Sequence, residues 1–239
     1  MPEILSMEDA LKKYLKNHSS LMMGGFLGCN APLMAIDKII ELGIKDLTLI
    51  SAVNSFPGGG FEIGLLFDHG LIKKFIGSHI GTNPTAVKQY AEGKLEVDYY
   101  PQGTVIEKIR CAGFGLGGFL TPTGLGTLME EGKQKITVNG REYLLEEPLG
   151  ADVAIIKADK ADKMGNLVYS GTMNSNPIMA SAADITIAEV SEIVEVGEIA
   201  PEDVQTPGIF VDVLCVGYDF DSYRERMREM WNKLGLMRK

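Results

Sequence analysis

Glycine and amide-bearing residues gather in four short segments of the chain that could bind an anion. These are residues 24–31, 54–60, 81–83 and 102–103. Three of them precede a predicted helix, whose first N–H groups and dipole favour a phosphate or a similar group. Ordinary turn chemistry explains any one segment, but it explains all four together less well. We therefore predict that the four segments line one binding edge.

Side chains that could act alone as nucleophile, acid or base are scarce. The three histidines are far apart, and only His79 falls beside one of the four segments, where it either contacts substrate or makes a structural hydrogen bond. No serine or cysteine lies in a nucleophile elbow, and no GxxxxGK[ST] phosphate loop occurs. A site rich in backbone donors and poor in nucleophiles indicates a binding function, or half of an active site that another chain completes.

The most glycine-rich stretch, residues 101–127, holds seven glycines. It contains a GxGxxG run at 113–118, but we predict a helix over 104–112 before it, whereas a dinucleotide fingerprint needs a preceding strand and a following helix. We reject that fingerprint. The uncharged part, residues 111–127, predicts either a functional loop or a loop buried against neighbouring elements.

The elements that position these segments alternate regularly in the first half of the chain. Apolar runs and helical periodicity predict a first helix at 7–16 and then strand, loop and helix four times over. Asn83 and Pro84 have the residue types of an N-cap and a first helical residue. The strands are predicted at 20–26, 47–53, 73–80 and 96–100, and the helices after them begin at 32, 61, 84 and 104. This alternation favours a parallel sheet, with the four segments at the carboxyl ends of its strands.

The second half departs from this pattern. Asn139-Gly140 between two alternating runs predicts a β-hairpin over 136–145. Further strands are predicted at 151–158, 167–170, 185–190 and 209–216, with a short helix at 177–183. A terminal helix is predicted from about residue 221, its apolar face docking on the core of the chain itself rather than on a partner. We predict an α/β fold: one domain over residues 1–239 with an open, mostly parallel sheet flanked by helices and an inserted hairpin.

Composition limits the classes of function. The net charge of −9 argues against a nucleic-acid binder. Three widely spaced cysteines predict neither a disulfide framework nor a zinc site. The N-terminus has the pattern of an amphipathic helix rather than a signal peptide, and no apolar run approaches the ~18 residues of a membrane span. We predict a cytoplasmic protein that binds no nucleic acid, no membrane and no metal.

Several sequence motifs occur in a fixed order along the chain. They are GGFxxxxxP at 24–32, SHIGTNP at 78–84, PQGTxxExIR at 101–110, GLGGFLTPTGLGT at 115–127 and TPGIFVD at 206–212. Through them, over about residues 4–215, the chain resembles the alpha subunit of the 3-oxoacid coenzyme A-transferases of the acetate or butyrate:acetoacetate type. The resemblance implies the fold shared by CoA-transferases and ribose-phosphate isomerases.

The resemblance also implies a reaction. In this family coenzyme A moves from an acyl-CoA to a free carboxylate through an acyl-glutamyl anhydride and a glutamyl-CoA thioester, with no covalently bound cofactor. The nucleophilic glutamate belongs to the beta subunit, which implies an α2β2 partner arrangement. Ser191-Glu192 is similar to part of that subunit's Ser-Glu-Asn-Gly motif, but Ile193-Val194 follow. We assign no nucleophile to this chain.

The resemblance assigns roles to particular residues. Gln102 matches a glutamine that steadies an oxyanion beside the reacting carboxylate. The substrate pocket is expected at Asn54, His79, Gly81 and Asn83. The segment that matches the coenzyme A-binding region consists of Gly24, Gly25, Phe26, Leu27, Gly28, Cys29 and Asn30.

Two departures bear on these assignments. Asn30 replaces a usual glycine, and asparagine tolerates the positive φ of such a turn. Ala52-Val53-Asn54 replaces the usual Asn-Asp or Asn-Asn, so the acyl group is left open among acetate, butyrate, acetoacetate, succinate, 3-oxoadipate and glutaconate. Two other functions also remain open at this point: a stand-alone sugar-phosphate or effector-binding protein, and an isomerase that acts alone.

Overall fold

The computed structural model describes residues 1–235, and its main element is a nine-stranded sheet. The strands are β1 Glu3–Ile4, β2 Ser20–Met23, β3 Leu47–Ile50, β4 Ile72–Gly77, β5 Glu96–Tyr99, β6 Phe119–Thr121, β7 Lys135–Val138, β8 Arg141–Glu146, β9 Ala151–Asp162, β10 Leu167–Val168, β11 Ala183–Val194 and β12 Val213–Val216. The strand order of the large sheet is β1-β12-β11-β9-β2-β3-β4-β5, every pairing along it is parallel, and β10 pairs antiparallel with β9. A second, three-stranded antiparallel sheet has the order β6-β8-β7.

Helices cover both faces of the large sheet. Successive strand residues point to opposite faces, so Leu21 and Met23 pack into one core and Met22 into the other. The helices are α1 Met7–Tyr14, α2 Leu33–Leu42, α3 Gly64–Asp68, α4 Pro84–Ala91, α5 Gln102–Gly113, α6 Asn176–Ala180 and α7 Phe220–Lys233. Helices α1 to α4 and α7 contribute to the first core, and α5 and α6 contribute to the second. The predicted α/β fold with an open, mostly parallel sheet is confirmed.

Local chemistry explains the element starts that the sequence predicts well. The Asn83 side chain accepts hydrogen bonds from the N–H groups of Thr85 and Ala86, so it is the N-cap of α4 as predicted. The hairpin of β7 and β8 turns at Asn139 and Gly140, whose φ angles of 50° and 77° suit a type I′ turn. Both predictions are confirmed.

Most element boundaries differ from the predictions by one to four residues; β9, for example, extends to Asp162 and β11 spans Ala183–Val194. Helix α5 begins at Gln102, two residues before the predicted start, which places Gln102 in the first turn. The strand predicted at 209–216 is confined to β12, because Gly208–Phe210 forms a 3-10 turn. The strand predicted at 167–170 ends at Val168, since Ser170 already belongs to the loop that leads to α6.

The uncharged stretch after α5 is not buried. Phe114 is 67% exposed and Leu116 is 45% exposed, so the alternative of a loop packed against neighbouring elements is wrong here. The helix predicted over residues 104–112 lies entirely within α5, so that prediction is confirmed.

The terminal helix α7 docks on the chain itself. Met230 is buried, and the Trp231 ring is stacked on Phe61 with 6.3 Å between centroids. The predicted docking of the apolar face is confirmed for these residues. Residues 236–239, over which the terminal helix was also predicted, lie outside the described part of the chain. Among residues 1–235, no helix is both long and apolar enough to cross a membrane.

Candidate functional site

The loop after β2, residues 24–31, is a tight and internally bonded turn. The backbone N–H of Phe26 donates to the carbonyl of Cys29, and the N–H of Cys29 donates back, both at 3.0 Å. Leu27 and Gly28 between them have φ angles of 51° and 86°, and Asn30 has a φ of 49°. The positive φ expected of the asparagine is therefore present.

A buried carboxylate holds this loop from below. Glu62, which is 2% exposed, accepts a hydrogen bond from the Gly28 N–H at 2.7 Å. Burial raises the pKa of Glu62 to about 7, and the N–H groups of Gly28 and Leu27 oppose that rise. An internal acid thus occupies a backbone donor that the sequence suggested for an external anion.

A second buried carboxylate occupies the start of α2. Glu189, fully buried on β11, accepts from the Ala35 N–H at 3.0 Å and the Met34 N–H at 3.4 Å. Burial raises the pKa of Glu189 to about 7, while these N–H groups and Lys157 lower it. Because Asn83 likewise caps α4, two of the helix starts predicted to hold an anion are already satisfied by the chain.

Asn176, at the start of α6, fixes the other side of the loop. Its Nδ2 donates to the carbonyl of Asn30 at 3.2 Å, and its Oδ1 accepts from the N–H of Lys157 at 3.1 Å. A Cβ built on Gly24 would lie 1.9 Å from the Asn176 Oδ1. Gly24 is therefore required for a close side-chain approach.

Helix α5 differs from α2 and α4 at its start. Pro101 precedes it with no side-chain cap, and the N–H groups of Gln102, Gly103 and Thr104 have no hydrogen-bond partner among residues 1–235. The exposed Gln102 side chain also makes no hydrogen bond within that range. The first turn of α5 thus offers unused donors with a helix dipole behind them.

A cavity of about 260 Å³ opens at this turn, and we call it the Gln102 cavity. It brings together Gln102 from α5, Phe26 from the 24–31 loop and Ala52 from the loop after β3, with Asn174 and Ser175 on the remaining wall. The Ser175 hydroxyl has no hydrogen-bond partner in the described chain, and no histidine or carboxylate lines the cavity to activate it. The cavity can hold an oxygen anion, but its lining contains no activated nucleophile.

The other predicted pocket residues lie outside this cavity's lining. Asn54 and Asn83 are fully buried, and neither nitrogen of these amides has a partner among the described residues. His79 is half-buried, with its Nδ1 2.9 Å from the Ser78 hydroxyl, which donates to the carbonyl of Ala52. Gly81 is exposed on the same loop. These four residues form the neighbouring β3–α3 and β4–α4 loops.

The predicted coenzyme A segment divides between two cavities. Phe26 lines the Gln102 cavity, whereas Gly28, Cys29 and Asn30 line a larger cavity of about 470 Å³. We call the second one the α7 cavity, because residues of that helix form its outer wall. The side chain of Asn30 donates to the carbonyls of Ser170 and Thr172, so the segment 170–175 separates the two.

Sequence reasoning did not identify Glu62, Glu189, Lys157, Asn176 or Tyr223 as parts of the site. One signal was present for Glu189 and Lys157, since each is a charged residue within an apolar strand. Tyr223 gave no such signal. Its hydroxyl lies 2.8 Å from the carbonyl of Gly28 and accepts from the Ala31 N–H at 3.1 Å, contacts that only the docking of α7 creates.

Comparison with known proteins gives one family. The model of the coenzyme A transferase family matches residues 4–217. The alpha subunit of acetate CoA-transferase from Escherichia coli K12 is 44% identical over 218 residues, covering 91% of this chain and 98% of that relative. The alpha subunit of acetoacetyl-CoA:acetate/butyrate CoA transferase from Clostridium acetobutylicum is 46% identical over 205 residues, covering 85% of this chain and 93% of that relative.

Solved structures share the fold. Glutaconate coenzyme A-transferase from Acidaminococcus fermentans matches with a TM-score of 0.80 at 22% identity, covering 97% of this chain and 87% of that one. An acyl-CoA transferase from Escherichia coli O157:H7 matches with a TM-score of 0.82 at 21% identity over 90% of this chain and 50% of that one. The alternatives of a stand-alone sugar-phosphate or effector-binding protein and of a lone isomerase find no support in these relatives. The family that the ordered motifs suggested is confirmed: the chain belongs to the coenzyme A transferase family.

Proposed function

We propose that this chain is the non-nucleophilic alpha subunit of a heteromeric, cytoplasmic CoA-transferase. It moves coenzyme A between a short-chain acyl-CoA or 3-oxoacyl-CoA and a carboxylate, with acetate, butyrate and acetoacetate as the acyl groups. The observation that carries the proposal is the Gln102 cavity, which combines unused N–H donors at the start of α5 with a lining that lacks an activated nucleophile. A site of that composition fits one half of a transferase centre.

The chemistry assigned to the partner is covalent. A glutamate of the beta subunit attacks the thioester carbonyl, the coenzyme A thiolate leaves, and an acyl-glutamyl anhydride forms. The thiolate then attacks the glutamyl carbonyl, which releases the first carboxylate and leaves a glutamyl-CoA thioester. The incoming carboxylate reverses these steps.

In this chain the role of Gln102 is electrostatic. Each attack creates a negatively charged oxygen, and the Gln102 amide and the free N–H groups of α5 would donate to it. Preorganised donors of this kind stabilise a transition state without a reorganisation cost at the moment of reaction. The carbonyl carbon would lie within the Gln102 cavity, beside Phe26.

The acyl group is proposed from the names of relatives. Those named for acetate and for acetate/butyrate are 44% and 46% identical, but a 3-oxoadipate CoA-transferase subunit from Acinetobacter baylyi is 45% identical over 196 residues. Identity alone therefore does not separate the acceptors, and the assay must compare them.

The experiment is a transfer assay from acetoacetyl-CoA to acetate, butyrate and 3-oxoadipate. It is run with this chain alone, and then with the beta-type chain encoded beside it in its genome. We expect transfer only in the mixture, with borohydride reduction in the presence of acyl-CoA modifying a glutamate of the partner. Transfer by this chain alone would overturn the half-site proposal. The mass of the active complex tests the proposed α2β2 composition.

A further inference from the structure

The α7 cavity is unusual in its charge. The chain as a whole carries a net charge of −9, yet this cavity is lined by three cations, Lys157, Arg224 and Arg228, and one acid, Asp159. Asp159 accepts a hydrogen bond from the Ser170 N–H and is thus engaged with the cavity wall. The electrostatics of this cavity favour an anionic ligand.

The two arginines, Arg224 and Arg228, make few contacts with other residues of the described chain. The guanidinium of Arg224 lies 5.3 Å from the centroid of the Phe220 ring and forms no ion pair among residues 1–235. Arg228 has a single exposed pair, with Glu225 at 3.6 Å. Exposed pairs of this kind contribute little stability, so the donors of both guanidinium groups remain accessible to a ligand.

Lys157 lies at the inner end of the cavity. It is 2% exposed, and its Nζ donates to the Ser191 hydroxyl at 3.0 Å and to the carbonyl of Ala158. The Tyr223 ring lies 5.6 Å from this nitrogen. Burial lowers the pKa of Lys157, and the Glu189 and Asp159 carboxylates oppose that shift, so an anion bound beside this nitrogen would further favour its charged form.

Aromatic rings form the outer wall. Phe220, Tyr223 and Trp231 all line the cavity, and Phe220 is 66% exposed although it is a large apolar side chain. Planar rings beside guanidinium groups suit a ligand that has both a planar base and a phosphate. An aliphatic carboxylate would use the arginines but not the rings.

The outer wall of the α7 cavity is fixed by contacts within the chain itself. Arg226 forms a two-point contact with the Asp37 carboxylate at 2.7 and 3.0 Å, which joins α7 to α2. The Tyr223 hydroxyl contacts the carbonyls of Gly28 and Ala31 at 2.8 and 3.0 Å. Helix α7 lies beyond residue 217, where the match to the family model ends.

We infer that the α7 cavity binds a nucleoside phosphate, with Arg224 and Arg228 on the phosphate and the base against the aromatic wall. The inference rests on the proposed function for the identity of the base, because coenzyme A carries an adenosine phosphate at one end. Phe26 lines the Gln102 cavity while Gly28 to Asn30 line this one, so one loop would contact both ends of that substrate. A free adenine nucleotide presents the same chemistry.

The chain contains its own probe for this site. Trp231 is its single tryptophan and lines the cavity, so its fluorescence reports occupancy directly. The full-length chain is titrated with adenosine 3′,5′-bisphosphate, AMP and coenzyme A, and with butyrate and inorganic phosphate for comparison. We expect a saturable change with the bisphosphate that the last two compounds do not produce at equal concentration.

Arg224→Gln and Arg228→Gln should each weaken bisphosphate binding about tenfold, the worth of one charge-assisted contact. Arg141→Gln is the matched control, since this exposed arginine also lies 5.3 Å from an aromatic ring, that of Tyr143, but on the distant hairpin. Its binding should equal that of wild type.

Competition by coenzyme A then distinguishes the two ligands that could supply the nucleotide, coenzyme A itself and a free adenine nucleotide. If coenzyme A displaces the bisphosphate and Arg224→Gln raises the KM for acyl-CoA in the active complex, the ligand is the nucleotide end of the substrate. If AMP binds and coenzyme A does not compete, it is a free nucleotide. No saturable change with any nucleotide, tighter binding of butyrate, or equal binding by the arginine variants would overturn the inference. These binding results do not depend on transfer activity, so they fail or succeed separately from the proposed function.

Discussion

Among single residues, Gln102 and Glu62 show how differently two polar side chains near one loop are used. Gln102 is exposed at an uncapped helix start and makes no hydrogen bond within the described chain. Glu62 is buried and bonded to the Gly28 N–H. The first is available to a reacting group, whereas the second supports the backbone around it.

Replacing Gln102 tests the first role. In the complex with the partner chain, Gln102→Ala should lower kcat by about 10- to 1000-fold, the usual effect of losing one oxyanion donor. The free energy of unfolding should stay within about 0.5 kcal/mol of wild type, because the side chain is exposed. The exposed Gln134→Ala is the control and should leave kcat unchanged. A wild-type kcat in Gln102→Ala would remove Gln102 from the mechanism.

Replacing Glu62 tests the second role through pH. Its pKa rises from an ordinary 4.5 to about 7 in the folded chain, so the folded state binds more protons than the unfolded state between these values. The stabilisation associated with the protonated acid is therefore complete below about pH 4.5 and is lost as pH rises through about 7. Its magnitude is at most about 3.5 kcal/mol, since one unit of pKa corresponds to about 1.4 kcal/mol.

In Glu62→Gln the part of the pH dependence of the free energy of unfolding that Glu62 causes should be absent, while the part that Glu189 causes should remain. Urea unfolding of wild type and variant at a series of pH values from 4.5 to 8 measures the Glu62 part as the difference between their free energies of unfolding. The exposed Glu142→Gln serves as the control and should follow wild type. Parallel curves for wild type and Glu62→Gln would contradict the assigned cause.

At the scale of elements, the 24–31 loop is held by three others. Glu62 lies on the segment before α3, Asn176 on α6 and Tyr223 on α7, whereas Glu189 on β11 holds the start of α2 that follows the loop. Glycines are needed where these groups approach most closely, as at Gly24 against Asn176. The loop is therefore a product of packing rather than of its own turn residues alone.

Gly24→Ala should destabilise the fold by about 1–3 kcal/mol, the usual cost of inserting a methyl group into a packed site. Its Cβ would meet the Asn176 Oδ1, so Asn176 would have to move away from Asn30 and Lys157. Gly117→Ala is the control, because nothing lies within 4 Å of its Cβ and its φ is not positive. Thermal unfolding compares the two, and equal midpoints would argue against the packing account.

At the scale of the whole molecule, the segment after α5 exposes large apolar side chains. Leu128 is 77% exposed and Phe114 is 67% exposed, beside Leu116 and Leu120. Four large apolar side chains exposed within residues 114–128 favour a site of protein association. Since the relatives are alpha subunits by name, we assign this face, residues 114–128, to the beta-type partner.

Leu128→Glu should weaken association with the partner chain at least about tenfold, while the free energy of unfolding changes by less than about 0.5 kcal/mol. Ile209→Glu is the matched control, because Ile209 is 87% exposed but lies on a different turn, Gly208–Phe210. Analytical ultracentrifugation of the mixed chains measures both. If only Ile209→Glu weakens association, the partner binds a different face.

Much of the architecture follows from local sequence alone. The repeated strand and helix periodicities, the Asn83 cap and the Asn139-Gly140 turn each depend on residues within one turn or one strand, so neighbouring residues determine them. The ordered motifs similarly identify the family and place Gln102 and Phe26 at one edge of the sheet. Element ends were less predictable, as at α5, which begins directly after Pro101 although Gly103 in its first turn disfavours a helix.

What the tertiary structure decided is which polar groups are already occupied. The sequence suggests free helix N-termini after β2 and β4, but Glu189 lies 154 residues from the Ala35 N–H that it accepts from, and no local pattern connects them. Tyr223 likewise meets Gly28 across 195 residues of chain. Long-range packing therefore left α5 as the helix start with unused donors and divided the predicted coenzyme A segment between two cavities, because buried N–H groups must find partners wherever the fold supplies them.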